Sequence, residues 1–469
     1  MPLSPEQIAG CWRQEYEKAP ATLARMSEIN TLAAAFNANV DSVVKISGAE
    51  LQRRIRQTGM TLAELKNDAD RSIRRPEDVL RGIFLCFTLG IAEEWIAQDK
   101  EIYRWMKKEL GTEKLQMGAQ AGIIANTMSL TGIGRVVTHV GALPELQARQ
   151  FFKRDNLLSF DQNGTLKPAH TVNRPNEEAS IHWIIEFDKD DRLEAEGQTF
   201  VCPKSNRFIA TYDPVLFNLV IDPHFVDYTC RENADYIILS GYQALSESNR
   251  GTELVKKTIP VIEKWRQKKP RPLIHLEIAS TQDAAVRKTV ARQIMPLVDS
   301  AGFNEREAID LLEVLDCRET AAKCHSAPRP AEMFEALAAI KRETGCPRLQ
   351  LHMFGLYMTM QNPNFPVSPE ANRRGMVLAA TAAASKALLG QLADYKDFTA
   401  AAGLPVSACG IDGLKELAET LGNPEFACNG IGKYRGFDVI AVPAVIIDRP
   451  KTLVGMGDTI SAFSLLGAR

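Results

Sequence analysis

Apolar residues recur at helical spacing near the start of the chain, with Ile8, Trp12 and Tyr16 on one face of a charged stretch, which predicts an amphipathic helix. An apolar run at 31–36 then leads into Asn37-Ala38-Asn39-Val40-Asp41, the profile of a short buried segment ending in polar residues. Residues 48–112 are dense in Arg, Glu and Lys and read as several amphipathic helices. Pro76 suits the first turn of one that carries Val79, Leu80, Ile83 and Phe84. From about residue 118 the pattern changes. Short β-branched runs at 135–140, 181–187, 236–239, 273–278, 349–354 and 439–447 alternate with helical stretches at 253–267, 283–301, 332–342 and 375–392. Such alternation predicts a parallel sheet covered on both faces. The runs at 181–187 and 208–212, separated by the charged turn Asp188-Lys189-Asp190-Asp191, read instead as a β excursion. The expected architecture is a large α/β domain with a smaller mixed piece inserted.

Composition narrows the function classes. The 469 residues are 45% hydrophobic, too apolar for disorder, and enough for two to three domains or one large domain with an insertion. Lys and Arg total 56 against 58 Asp and Glu, so no basic excess is present to neutralise a nucleic-acid backbone. Residues 1–6 show no basic and apolar leader, and the apolar run at 83–91 is far short of the ~20 residues of a membrane helix. The expectation is a cytoplasmic protein without nucleic-acid or membrane partners. Nine cysteines at irregular spacing read as reduced, mostly buried thiols. Cys317, Cys324 and His325 lack a second pair at zinc spacing. Asn163-Gly164-Thr165 reads as an Asn-Gly turn.

Three strings carry chemistry. Near the C-terminus a short strand at 452–454 is expected to turn through Gly455-Met456-Gly457-Asp458 into a helix. Glycines there let backbone N–H groups approach an anion, and the helix N-terminus adds partial positive charge. Asp458 is either a helix cap or a base placed to take a hydroxyl proton. In His275-Leu276-Glu277-Ile278, a carboxylate sits in a nearly continuous apolar strand, a costly place unless it is paired or engages a cation. Asn304-Glu305-Arg306-Glu307 opens an apolar helix, and Glu307 either closes a capping box or joins Glu277 in orienting a hydrated Mg²⁺. No Gly-x-Gly-x-x-Gly turn with a following ribose acid is present, which counts against a dinucleotide oxidoreductase.

In this order and context the chain resembles the ADP-dependent sugar kinases, the glucokinase and phosphofructokinase family of the ribokinase-like fold. The resemblance spans nearly the whole chain. Besides the three strings above, it rests on Asn37 to Asp41, Gly118-Ala119-Gln120-Ala121-Gly122, His182-Trp183-Ile184-Ile185-Glu186, Asn206-Arg207-Phe208 and Ser240-Gly241-Tyr242-Gln243. It implies a three-layer α/β/α core with a mostly parallel sheet, at about 25–45, 111–180 and 213–469. A smaller discontinuous α/β lid is implied at about 46–110 and 181–212. The implied reaction moves the β-phosphoryl of ADP to a sugar hydroxyl, releasing AMP, with Mg²⁺. A non-catalytic nucleotide-binding protein is the remote alternative.

On the same resemblance, Asp458 is the base and Gly455, Met456 and Gly457 form the anion hole. Asn39, Asp41, Gln120 and His182 meet the sugar, and Glu277 and Glu307 organise the metal. Arg207 faces a phosphate of the nucleotide or of the sugar, while Val442, Pro443 and Tyr357 wall the adenine. Lys167, Arg192 and Arg207 are the cations that a sugar phosphate would need. Glucokinases and bifunctional members of the family turn a lid carboxylate toward the sugar; Arg74-Arg75-Pro76-Glu77 is the candidate neighbourhood, and a match on Arg75 rather than Glu77 would count against glucose. The acceptor expected is fructose 6-phosphate, with glucose and dual use as alternatives.

Overall fold

The computed structural model describes residues 3–469 except 68, 98, 113, 282, 327 and 453. Among the described residues the larger sheet has eleven strands. Its middle comprises, side by side, Arg348–Met353, Ser300–Asn304, Leu273–Glu277, Tyr236–Leu239, Thr31–Ala35, Arg135–Thr138 and Leu157–Phe160, all parallel. Antiparallel strands finish both edges: Leu356–Gln361, Phe437–Pro443 and Ile431–Tyr434 on one side, Leu166–Pro168 on the other. Every residue of Thr31–Ala35 and Tyr236–Leu239 is buried, so these strands show continuous apolar runs rather than alternation.

Helices cover this sheet. The longest, Pro369–Leu389, is Ala-rich and buried over most of its length from Gly375 to Ala387, because its small side chains let the C-terminal helix Met456–Leu466 lie directly on it. A Cβ on Gly375 would stand 2.4 Å from the Ser464 carbonyl oxygen and 2.8 Å from the Ala468 nitrogen. Gly375→Val is therefore expected to force the two helices apart and to destabilise the fold by about 1–3 kcal/mol. The check is a shift of the urea midpoint; an unchanged midpoint would refute the close contact.

The second sheet has six strands in the order Ser72–Ile73, Glu93–Ala97, Asn206–Tyr212, Ile181–Phe187, Asn39–Lys45, Leu115–Gly118. It builds its own apolar core from Val40, Phe84, Phe87, Trp95, Trp183 and Phe208, with helix Pro76–Leu89 against it. Two of its strands correct the expected boundaries. Asn39–Lys45 and Leu115–Gly118 belong to this sheet, so the smaller unit begins before residue 46 and extends past 110.

Other expectations also change. The helix expected over 283–301 ends early: Ala284–Thr289 passes through irregular turns around Pro296, and Ser300–Asn304 is a central strand. The strand expected at 452–454 is a turn at residue 454, and residue 453 lies outside the described residues. Cys11 and Cys428 form a disulfide, against the expectation that all thiols are reduced; packing of helix Pro5–Tyr16 beside Phe426–Asn429 brings their Cα atoms to 5.5 Å. Gly164 adopts φ 76° in the turn between Leu157–Phe160 and Leu166–Pro168, as the Asn-Gly pair implies. Among the described residues no helix is long and apolar enough to cross a membrane.

Candidate active site

The C-terminal helix begins at Met456, with Gly455 as its N-cap in the left-handed region at φ 65°. That conformation favours glycine and turns the first N–H groups of the helix outward, where no intrahelical acceptor exists. Because Gly455 holds the cap, Asp458 is free of that duty and sits buried in the first turn. Burial pushes its carboxyl up to about 6, opposed by the charge of Lys386. Lys386, from the long helix Pro369–Leu389, donates to the Gly455 carbonyl at 3.0 Å and reaches Thr459 Oγ1 at 3.4 Å. Its own ammonium is pushed down to about 8 by burial, with Asp458 working against that.

Two more buried carboxylates approach this turn. Glu277 ends the central strand Leu273–Glu277, and its Oε1 lies 3.8 Å from where a Cβ on Gly457 would be. Burial raises its carboxyl well above the ordinary range, and the charges of Asp458 and Glu307 add to the effect. Glu307 stands in the first turn of helix Glu305–Val314 and forms a capping box: Asn304 N–H donates to Oε2 at 2.8 Å and Glu307 N–H donates to Asn304 Oδ1 at 3.0 Å. Burial pushes Glu307 up to about 8, with Asp458 and Asp310 adding. The charge of Asp458 raises the proton affinity of both Glu277 and Glu307, and a cation near them would relieve that repulsion. Among the described residues no three His, Cys, Asp or Glu side chains are grouped so that they could hold a metal ion by themselves. Carboxylates fit a hard cation that keeps several waters, as Mg²⁺ does, and one imidazole also reaches the turn, with His352 Nε2 3.1 Å from where a Cβ on Gly457 would be.

Opposite this turn, the smaller sheet contributes a second polar group. Asn39 and Asp41 project from Asn39–Lys45 over Gly118, where a Cβ would lie 2.1 Å from Asp41 Oδ1 and 2.3 Å from Asn39 Oδ1. Both side-chain polar atoms of Asn39 are buried without a partner among the described residues, which marks a place for a ligand. Burial pushes Asp41 up to about 6; His182 opposes this, and Glu94 and Asp458 add to it. His182 is the cross-strand neighbour of Asp41, with Nε2 at 3.2 Å from Asp213 Oδ2 and Nδ1 at 3.8 Å from Glu94 Oε1. Burial works against its protonated form, but the hydrogen bond and charge of Asp213, with Glu94 and Asp41, raise its proton affinity overall. Gln120 opens helix Gln120–Ser129 and accepts from Asn37 Nδ2 at 3.4 Å. Ile123 of that helix stands 2.9 Å from a Cβ on Gly455, so helix Gln120–Ser129 abuts the Gly455 turn.

A cleft of about 1110 Å³ between the two sheets reaches this region at Glu94. One wall is the smaller sheet, with Glu94, Trp95, Arg207 and Ile209; the other is made by Ser246, Ser280, Thr281 and Arg306. The second wall follows the C-terminal ends of the parallel strands, where open α/β sheets bind ligands.

The remaining candidates divide. Tyr357 and Val442 are register partners in the larger sheet, with Pro443 next to them; all three are buried. Lys167 does not join the cluster. It lies on the edge strand Leu166–Pro168 and pairs with Asp161 at 2.7 Å. Arg192 is exposed on a separate two-stranded ribbon with Gln198–Val201, so neither cation is at the cleft. Arg75 is spent as the N-cap of Pro76–Leu89 and approaches Glu77 and Asp78 at 4.0 and 3.9 Å. The smaller-sheet carboxylate directed at His182 is Glu94, not Glu77. Sequence reasoning missed Glu94, Lys386 and Asp213. Glu93-Glu94-Trp95-Ile96-Ala97 shows no strand alternation that would have marked Glu94, whereas Asp213 before Pro214 has the form of an N-cap, which it is.

Comparison with known proteins settles the family. Residues 30–467 match the conserved region of the ADP-specific phosphofructokinases and glucokinases. The chain belongs to the ADP-specific phosphofructokinase/glucokinase family. An ADP-specific phosphofructokinase of Methanosarcina acetivorans is 28% identical over 91% of each chain. An ADP-dependent glucose/glucosamine kinase of Pyrococcus furiosus is 28% identical over 97% of this chain and 98% of its own. Among solved structures, an ADP-dependent kinase in complex with fructose-6-phosphate and ADPbetaS superposes with a TM-score of 0.83, at 28% identity and 97% coverage of both chains. The fold is that of the ADP-dependent kinases, which is ribokinase-like.

Proposed function

We propose that this family member transfers the β-phosphoryl group of ADP to a hydroxyl of fructose 6-phosphate, releasing AMP. The observation that carries the reading is Asp458: a buried carboxylate beside the exposed N–H groups of a helix start, close enough to Asp41 for their charges to interact. In this reading Asp458 accepts the hydroxyl proton as the sugar oxygen bonds to phosphorus and the bond to the AMP oxygen breaks. The N–H groups of Gly455, Met456 and Gly457 stabilise the charge on the transferring group. Asn39, Asp41, Gln120 and His182 orient the sugar, and Arg207 meets its phosphate or that of the nucleotide. Tyr357, Val442 and Pro443 support the adenine side. Glu277 and Glu307 would hold Mg²⁺, whose contribution is to neutralise phosphate charge. Closure of the smaller sheet over the cleft would exclude water, the competing acceptor.

Glucose is a second reading, favoured by Glu94. A carboxylate beside His182 accepts hydrogen bonds from a neutral sugar and repels a sugar phosphate. The test is steady-state turnover of each sugar with Mg-ADP or Mg-ATP, following AMP. AMP formation with ADP is expected; turnover with ATP only sinks the proposal. Glu94→Ala is expected to weaken glucose use by about 10- to 100-fold while sparing fructose 6-phosphate, since a hydrogen bond to a charged group contributes roughly 1.5–3 kcal/mol. Equal losses on both sugars would remove Glu94 as the discriminating group.

A further inference from the structure

A row of polar side chains lies beneath the active site, on the face of the larger sheet covered by the C-terminal helix. His275, Ser300 and Arg348 are mutual cross-strand partners on three adjacent parallel strands, and all three are fully buried. Arg348 Nη1 donates to Ser300 Oγ at 2.9 Å, Ser300 Oγ is 2.9 Å from His275 Nδ1, and His275 Nε2 is 3.4 Å from Glu277 Oε2. The other guanidinium nitrogen, Nη2, is held by Asn372 Oδ1 at 2.9 Å and Ser464 Oγ at 2.8 Å. The hydrogen-bond partners of Arg348 among the described residues are neutral side chains, Gln350 Oε1 at 3.2 Å included, although a buried guanidinium without a carboxylate is expensive.

We propose that Arg348 and Ser300 are positioning residues that lock His275 in the Nε2–H tautomer, so that it donates to Glu277 and leaves the second carboxylate oxygen facing the anion hole. The polarity follows from the donor inventory. Arg348 can only donate, so it occupies a lone pair of Ser300 Oγ. Among the described residues the Ser300 proton then has one acceptor in reach, His275 Nδ1. With Nδ1 accepting, the ring proton of neutral His275 is on Nε2 and points at Glu277. The opposite arrangement, Nδ1–H to Ser300, strands the serine proton in a fully buried site, at a cost of about 1–3 kcal/mol.

The geometry explains a glycine as well. Gly302 lies between Glu277 and Gln350 in the next row, and a Cβ there would stand 2.6 Å from Glu277 Oε2 and 3.2 Å from His275 Cε1. The row needs that space. With Oε2 engaged by His275, Oε1 remains toward Gly457, on the side where a cation and phosphate oxygens would meet. Such outer hydrogen bonds orient a ligating carboxylate, and their loss typically costs about 10- to 100-fold in metal affinity.

The function of the relay rests on Glu277 being a cation-organising carboxylate, but its hydrogen-bond polarity does not, so the two are tested separately. Imidazole ¹⁵N NMR of the metal-free full-length protein reads the tautomer directly; His275 is assigned among the seven histidines by the signal lost in His275→Gln. Protonated Nε2 and bare Nδ1 are expected, and the reverse overturns the relay. Mn²⁺ titration followed by electron paramagnetic resonance, without substrates, then compares wild type with Ser300→Ala and with Ser300→Thr, which keeps the hydroxyl. A loss of about 10- to 100-fold in Ser300→Ala, recovered in Ser300→Thr, is expected. Unchanged affinity in Ser300→Ala overturns the positioning role, and absence of Mn²⁺ binding by wild type overturns the reading of Glu277 on which that role rests.

Discussion

Asp458→Asn is expected to lower kcat by about 10²- to 10⁴-fold, the usual contribution of a positioned general base. Asparagine keeps the shape of the side chain and the helix start but cannot take the proton. KM for ADP should stay within a few-fold, because the N–H groups at the anion hole are untouched. Stability should not fall, since the substitution removes a charge that burial disfavours. The pH dependence carries the same assignment. The base works ionised, and burial holds its carboxyl near pH 6. The wild-type rate is thus expected to drop about tenfold per pH unit below that value and to level off above it. An Asp458→Asn enzyme with wild-type kcat, or a flat acid limb, would remove the base from the proposed mechanism.

Gly455→Val should combine the largest structural and catalytic losses. The left-handed turn at φ 65° costs an ordinary residue about 1–2 kcal/mol and a β-branched one more. Space is also lacking: a Cβ would come within 2.8 Å of Lys386 Nζ and 2.9 Å of Ile123 Cγ2. Either the turn flips, which disperses the N–H groups, or Lys386 is displaced from the Gly455 carbonyl. A fall in kcat of about 10²- to 10³-fold is expected, the scale of losing one preorganised oxyanion donor. Gly436→Val is the control. Gly436 has a similar conformation, φ 87°, but nothing within 4 Å of its Cβ position. It should show the backbone strain in the urea midpoint while turnover stays at the wild-type level. Equal activity loss in both variants would mean that general destabilisation, not the anion hole, explains the effect.

The turn at Gly455 to Asp458 was legible in the sequence because the features that mark it are local. Gly455, Gly457 and Asp458 act through backbone freedom, helix polarity and a spacing of three residues, all of which a linear string records. Glu277 was legible for a related reason: a carboxylate in a strand otherwise apolar needs a partner wherever that strand lies. The capping box of Asn304 and Glu307 could be read the same way. Its two roles were both visible, and the structure shows the cap.

Residues that act across the chain were not legible. Glu94 and His182 are 88 positions apart, and Glu94 approaches only because Glu93–Ala97 pairs with Asn206–Tyr212, which pairs in turn with Ile181–Phe187. Lys386 looks like the solvated end of an Ala-rich helix until that helix packs on the one carrying Asp458. Lys167 and Arg192 are the converse case. Both are cations in the right stretch of sequence, but one is neutralised by Asp161 and the other lies on a solvent-facing ribbon.

The sequence by itself determined an α/β chain, a parallel sheet with buried strands, a phosphate-suited turn at the C-terminal helix and, through the ordered set of motifs, a family. Each is set by periodicity, backbone conformation or a short spacing. Tertiary structure alone decided which charges meet: the convergence of Asp41, Glu277, Glu307 and Asp458, the carboxylate beside His182, and the polarity of the row from Arg348 to Glu277. Those depend on strand order and register, and electrostatic energy depends on distance and burial, quantities that a linear string does not contain.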